Sequence, residues 1–188
     1  LSLTAGTAAL ADVVVVELFT SQGCSSCPPA DELLGKLKEH DEVIALSLHV
    51  DYWDYLGWKD DFADPRNTKR QQGYAHAASS NMIYTPQMIV GGQTSIVGTR
   101  GMELMDAVQT HAEKQTRLGL QVSKNAETVE INLIPGADGT NDMVVQLVRY
   151  APSLTADIRS GENAGRKITY HNVVTSWDVV GTWDGASS

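Results

Sequence analysis

Residues 13–31, VVVVELFTSQGCSSCPPAD, constrain this chain more than any other stretch. Four consecutive valines (Val13 to Val16) lead through Glu17, Leu18 and Phe19 into a short polar loop. That loop carries Cys24 and Cys27, the two cysteines of the 188-residue chain. A near-continuous apolar run of this kind is the pattern of a strand covered on both faces in a mostly parallel sheet. Pro28 and Pro29 follow, then a helix-like segment from Ala30 to His40 with Leu33, Leu34 and Leu37 at helical spacing. In the order strand, Cys-X-X-Cys, helix, two cysteines at this spacing read as a redox dithiol rather than as half a zinc site.

Val43 to Val50 reads as a second buried strand, and strand–helix–strand of this length predicts a parallel crossover. The segment DYWDYLGW is dense in aromatics, after which Asp64 is a good N-cap, and Pro65 a good first residue, for a polar helix running to Ala78. Tyr84-Thr85-Pro86 opens a short strand, Gln87 to Val90, and Gly91-Gly92 turns it into Gln93 to Val97, a hairpin. A helix from Gly101 to Arg117 closes the unit. Beyond Leu118 the period drops to two. Gly119 to Val122, Thr128 to Leu133, Asp142 to Tyr150 and Lys167 to Trp177 read as four mostly antiparallel strands. The pattern leaves open whether they extend the first sheet or form a second one.

A net charge of −9 argues against nucleic acid and anionic membrane surfaces as partners. No apolar run approaches the ~20 residues needed to span a bilayer, so the mature chain is expected to insert in no membrane. Residues 1–11, LSLTAGTAALA, are small and apolar and end Ala9-Leu10-Ala11 before Asp12. They read as the remnant of a secretory signal with an A-x-A cleavage site, the other reading being a flexible or strand-forming N-terminus. Export places the chain in the periplasm or outside the cell, where two lone cysteines are paired or catalytic.

β-α-β followed by β-β-α, with VVVVELF before CSSC and then YTPQMIVGG, resembles the thioredoxin-like superfamily over roughly Asp12 to Arg117. More narrowly, VELFTSQGCSSCPPAD, HVDYWDYLGW, YTPQMIV and ENAGRKITYHNVV resemble a secreted bacterial thioredoxin-like family described only as a domain of unknown function. The resemblance implies an α/β fold with a mixed central sheet flanked by helices. On this reading residues 12–118 form the thioredoxin-like domain and 119–188 a mostly antiparallel β extension. It also implies that Pro86 is a cis-proline beside the dithiol, and that Glu17 stands where the superfamily places a buried acid. Two departures matter. Gln22-Gly23 replaces the usual aromatic residue before the first cysteine, and Pro28 disfavours helical geometry at Cys27, so that the helix is expected to start after the motif.

These features imply a thiol–disulfide oxidoreductase acting on protein thiols or disulfides with a redox partner protein and no cofactor. Cys24, earlier and nearer solvent, is the expected nucleophile and Cys27 the resolver. The other reading of the pair is an inert stabilising disulfide. Glu17 reads either as proton acceptor for Cys27 or as a salt-bridged strand residue. Pro86 reads as shaping a substrate groove that exposes the Thr85 backbone to an incoming peptide. Tyr52 and Trp53 read either as lining that face or as a packed aromatic cap. Two further functions stay open: a copper or other soft-metal carrier using Cys24, Cys27 and His49, and a non-catalytic binding module.

Overall fold

The computed structural model describes residues 13–114, 118–135 and 142–186. The expected leader, residues 1–11, and Arg117 at the expected end of the third helix lie outside them. The elements run β1 (Val14–Thr20), α1 (Pro28–Leu37), β2 (Val43–His49), a 3₁₀ turn (Asp54–Leu56), α2 (Pro65–Ala77), β3 (Gln87–Val90), β4 (Thr94–Val97), α3 (Gly101–Ala112), β5 (Leu118–Lys124), β6 (Val129–Pro135), β7 (Met143–Asp157) and β8 (Lys167–Trp183). Strands β4-β3-β1-β2-β8-β7 form a mixed sheet, while β5 and β6 pair apart as an antiparallel ribbon. The molecule is thus mixed α/β, with a central sheet flanked by helices. Among the described residues no helix is long and apolar enough to cross a membrane.

β1 pairs with β2 in parallel and with β3 antiparallel, so it is covered on both edges as well as both faces. Its side chains alternate between two cores. Val14, Val16 and Leu18 pack with Leu34 and Leu37 of α1 and Leu104 and Val108 of α3. Val15 and Phe19 pack on the other face with Leu46, Leu48 and Tyr74 of α2. This two-sided burial is what the uninterrupted apolar run demands.

Of the late strands, β7 and β8 join the first sheet. β8 joins the open edge of β2 through a single parallel ladder pair, Ser47 with Val173. Asn172 sits there in a left-handed conformation (φ 48°), and its side-chain amide donates to Ala45 O at 2.9 Å. A side chain thereby supplies a cross-strand hydrogen bond where the ladder is irregular. β7 then pairs antiparallel along β8 over its whole length, with two register shifts. At the opposite edge, Gly91 and Gly92 make the β3–β4 turn at φ 57° and 69°, the two positive values that a tight hairpin of this type needs.

Glu17 is the one acid in β1. It points toward α2 and away from α1, as the alternation requires. Its carboxylate accepts from Arg70 Nε at 2.6 Å, Arg70 Nη2 at 2.9 Å and the Tyr74 hydroxyl at 2.6 Å. The Arg70 guanidinium lies 3.7 Å above the Trp177 ring of β8. One ionic cluster therefore ties β1, α2 and β8 together. Removing Arg70 would leave a buried carboxylate with a single donor, and breaking a buried pair costs about 3–5 kcal/mol. Arg70 keeps some exposure, so we expect Arg70→Ala to lower the unfolding free energy in urea by about 3 kcal/mol.

Candidate functional site

Cys24 and Cys27 form a disulfide with Cα atoms 5.4 Å apart, at the junction of β1 and α1. Cys27 is itself the N-cap of α1, in helical conformation (φ −77°, ψ −36°), and the helix starts at Pro28. The expectation that Pro28 keeps Cys27 out of the helical region is therefore corrected, while the helix does start directly after the motif, at Pro28. Pro28 and Pro29 occupy first-turn positions whose N–H groups have no helical partner in any case, so nothing is lost there. The amides of Ala30 and Asp31 both donate to Cys27 O, at 2.8 and 3.1 Å. The head of the helix is thus closed on Cys27, with no first-turn N–H of residues 28–31 left to reach a thiolate. Ser26 Oγ, 3.4 Å from Cys24 Sγ, is the nearby hydroxyl.

The two sulfurs differ little in access. Cys24 is 1% exposed and Cys27 fully buried, whereas Ser25 and Ser26 between them are exposed. The expectation of a solvent-facing Cys24 is corrected, and the reason is the β7–β8 connection. There Asn163, itself buried, donates from Nδ2 to Gln22 O and Cys24 O, both at 2.9 Å. Glu162 Oε2 accepts from the Ser25 amide at 3.3 Å, and Ser160 Oγ donates to Gly57 O at 2.6 Å. A segment some 140 residues downstream thus covers the disulfide loop.

The Thr85–Pro86 bond is cis. Trp53 links it to the disulfide loop: its Cβ lies 3.1 Å from where a Cβ on Gly23 would stand, and its indole N–H donates to Thr85 Oγ1 at 2.7 Å. Pro86 also abuts the head of α1, because a Cβ on Gly98 would lie 2.9 Å from Pro86 Cβ and 3.0 Å from Ala30 Cβ. Gln71, fully buried on α2, holds the loop from behind by donating to Tyr84 O and Gln87 Oε1 while Tyr52 donates to its Oε1. Trp53 and Thr85 are half-buried beside the disulfide loop, and Tyr52 braces the proline loop through Gln71.

Sequence reasoning missed a buried acid on the helix whose N-cap is Cys27. Asp31 stands one turn after Cys27 on the same face of α1, and helical side chains lean back toward the N-terminus. It is 3% exposed, and neither carboxyl oxygen has a hydrogen-bond partner. Burial pushes its pKa up to about 7, with electrostatic attraction from His49 pulling the other way. Beneath it, the parallel register sets Thr20 of β1 beside His49 of β2. His49 Nδ1 lies 2.7 Å from Asp60 Oδ2, both groups fully buried, and the same oxygen accepts the Gln22 amide at 2.8 Å. Tyr170 of β8 meets the His49 ring edge to face at 4.6 Å. Thr20 Oγ1, His49 Nε2 and the Tyr170 hydroxyl are buried without a hydrogen-bond partner. The only hint of this in the sequence was the four-residue spacing from Cys27 to Asp31, and an acid in a first turn has an ordinary reading as a helix-dipole partner.

The sequence-predicted residues therefore divide. Trp53 bridges the loop that carries Cys24 and Cys27 to Thr85 of the cis-proline loop. Glu17 is held on the other face of β1 by Arg70 and Tyr74, so its salt-bridged reading is the one realised. His49 lies under the motif but is engaged by Asp60, and among the described residues no three His, Cys, Asp or Glu side chains are arranged to hold a metal ion.

A family model described as "Protein of unknown function (DUF1223)" matches residues 15–188. A protein from Agrobacterium tumefaciens known from X-ray crystallography is similar, with 37% identity and a TM-score of 0.80 over 96% of this chain and 77% of that one. No curated protein matches.

The raised Asp31 pKa makes a stability prediction. Unfolded, the group ionises near 3.8; folded, it holds its proton to about pH 7. Between those values the native state binds the extra proton, so this group's contribution is full below the lower value and is lost as pH rises. We expect unfolding titrations to show wild type losing about 4 kcal/mol relative to Asp31→Asn between about pH 4 and pH 8.

Proposed function

The chain belongs to the DUF1223 family of proteins of unknown function, and we propose that it is a thiol–disulfide oxidoreductase of thioredoxin-like fold, working in the periplasm or outside the cell on protein thiols or disulfides. One observation carries the reading. A disulfide closing a two-residue loop at the head of a helix is linked to a cis-proline loop through Trp53, which packs against Gly23, the residue before Cys24, and donates to Thr85, the residue before Pro86. A bridge across so short a loop restrains the unfolded chain little, so stabilisation is a poor reason for it. The β-α-β and β-β-α order of β1 through α3 supports the thioredoxin-like reading of residues 12–118, with 119–188 adding the ribbon and the β2 edge.

In this mechanism Cys24 is the sulfur attacked by, or attacking, the substrate, and Cys27 resolves the mixed disulfide. Asp31, rather than Glu17, is the acid placed to exchange a proton with Cys27. The Thr85 backbone and Trp53 offer the surface along which a substrate peptide lies. The closed helix head leaves Cys24 with Ser26 and the helix dipole as thiolate support, without free first-turn amides.

The burial of Cys24 favours a second reading, a binding module whose disulfide is structural. Reaction with glutathione disulfide separates the two. The reduced protein should form a mixed disulfide at Cys24, trapped and visible by mass spectrometry in Cys27→Ser, and Cys24→Ser should lose at least a thousandfold in exchange rate. Undiminished turnover by Cys24→Ser would sink the oxidoreductase assignment. A reduced Cys24 inert to both glutathione disulfide and iodoacetamide would establish the binding module.

A further inference from the structure

We propose that the buried His49–Asp60 pair is a positioning dyad for the proton that Asp31 exchanges with Cys27; the inference rests on the oxidoreductase reading above.

The balance of the reaction shows where such a dyad is needed. A substrate thiolate attacks Cys24 Sγ, the Cys24–Cys27 bond breaks, and the electron pair leaves on Cys27 Sγ. That sulfur takes a proton, and Asp31 is the acid one turn away that holds one. A second substrate thiolate then attacks the substrate sulfur of the mixed disulfide and releases Cys24, so that the substrate loses two electrons and the protein disulfide gains them. In the opposite direction the Asp31 carboxylate removes the Cys27 proton as that sulfur attacks the mixed disulfide. In both directions Asp31 passes through a charged form in a place where neither oxygen has a partner within hydrogen-bond distance and the Thr20 hydroxyl is the nearby donor. An isolated carboxylate there would be strongly disfavoured.

His49 is built to offset this. Asp60 fixes the imidazole through Nδ1, leaving Nε2 without a partner although it is fully buried. Asp60 is fixed in turn by the amides of Gln22 and Phe62. The flanking rings, Phe62 at 5.4 Å and Tyr170 at 4.6 Å, hold the imidazole edge to face. The charged and titratable groups that act on Asp31 are few. Glu32 neighbours it on α1, and His49 and Asp60 act from β2 and the loop beyond. Tyr170 of β8 feels both Asp31 and Asp60. Arg166 and Lys167 line a surface cleft with Pro28 and Asp31. Of these, His49 favours the Asp31 carboxylate, with the Thr20 hydroxyl a smaller aid, whereas Asp60 and Glu32 oppose it more weakly than His49 favours it.

The test follows resolution of the Cys24–glutathione mixed disulfide in the reduced protein after mixing with glutathione disulfide, by acid quench and mass spectrometry across pH 6–9. Wild type should show an inflection near pH 7. Without the attraction of His49 the Asp31 carboxylate forms at higher pH, so His49→Asn should move the inflection up by about one unit and slow resolution at pH 7 about fivefold, with recovery at higher pH. Asp31→Asn should abolish the inflection, and adding His49→Asn to it should change nothing more, which a merely structural histidine would not satisfy. Carbon-13 titration of the Asp31 carboxyl in wild type and His49→Asn reads the same shift without turnover and covers a poorly folding variant. An unmoved inflection, or an equal loss from His49→Asn in the Asp31→Asn background, overturns the dyad while leaving the oxidoreductase standing. A wild type that forms no mixed disulfide overturns both.

Discussion

The in-register parallel pairing of β1 with β2 decides which side chains of this protein can meet. Because side chains alternate along a strand, parallel partners present matched residues to the same face. Val16 with Ala45, Leu18 with Ser47 and Thr20 with His49 accordingly lie under α1. The apolar members anchor the helix. The last pair places a hydroxyl and an imidazole beneath its first turn, where Cys27 and Asp31 come down. A slip of β1 by one residue would turn Glu17 to the α1 face and Leu18 to the α2 face, placing a carboxylate in an apolar core.

That alternation explains why Glu17 faces α2 and pairs with Arg70. From sequence, a carboxylate inside a β-branched strand next to a Cys-X-X-Cys loop looks aimed at the sulfurs. The parity of its position fixes the side on which it lies, but parity is informative only once the helix over each face is known. Leu18, of opposite parity, is the β1 residue that packs with α1, and Glu17 falls to Arg70, Tyr74 and Trp177. Asp31 was overlooked for the opposite reason. It sits where an acid is unremarkable, and only burial without a partner sets it apart.

Much of the fold was legible because it rests on local signals. Val13 to Phe19, Val43 to Val50, Asp64-Pro65 and the Gly91-Gly92 turn each carry their own periodicity, cap or backbone requirement, and the corresponding elements form with ends shifted by a residue or so. The placement of β7 and β8 was not legible, since it depends on one ladder pair and on the Asn172 amide reaching Ala45 O. Asn163 was equally opaque. Its two hydrogen bonds to carbonyls flanking Gly23 span about 140 residues, and nothing local in ENAG announces a partner so far away. Cys24 looked exposed because the motif alone is a surface loop; the downstream segment that covers it is invisible to a local reading.

The cover and the buried polar layer act on the disulfide from opposite sides, and together they set the conditions for its chemistry. From above, Asn163 and Glu162 hold the backbone of the disulfide loop, so the proposed exchange would need the 158–166 segment to yield to a substrate chain. From below, Asp31 with its His49–Asp60 support would, in the proposed mechanism, provide a proton where solvent does not reach Cys27 directly. A sulfur shielded from water needs an internal proton source, because a buried thiolate formed by bond cleavage is costly until it is neutralised. The two features therefore belong together: the same packing that hides the cysteines makes an acid of Asp31 by raising its pKa. A solvent-open dithiol on this scaffold would need neither.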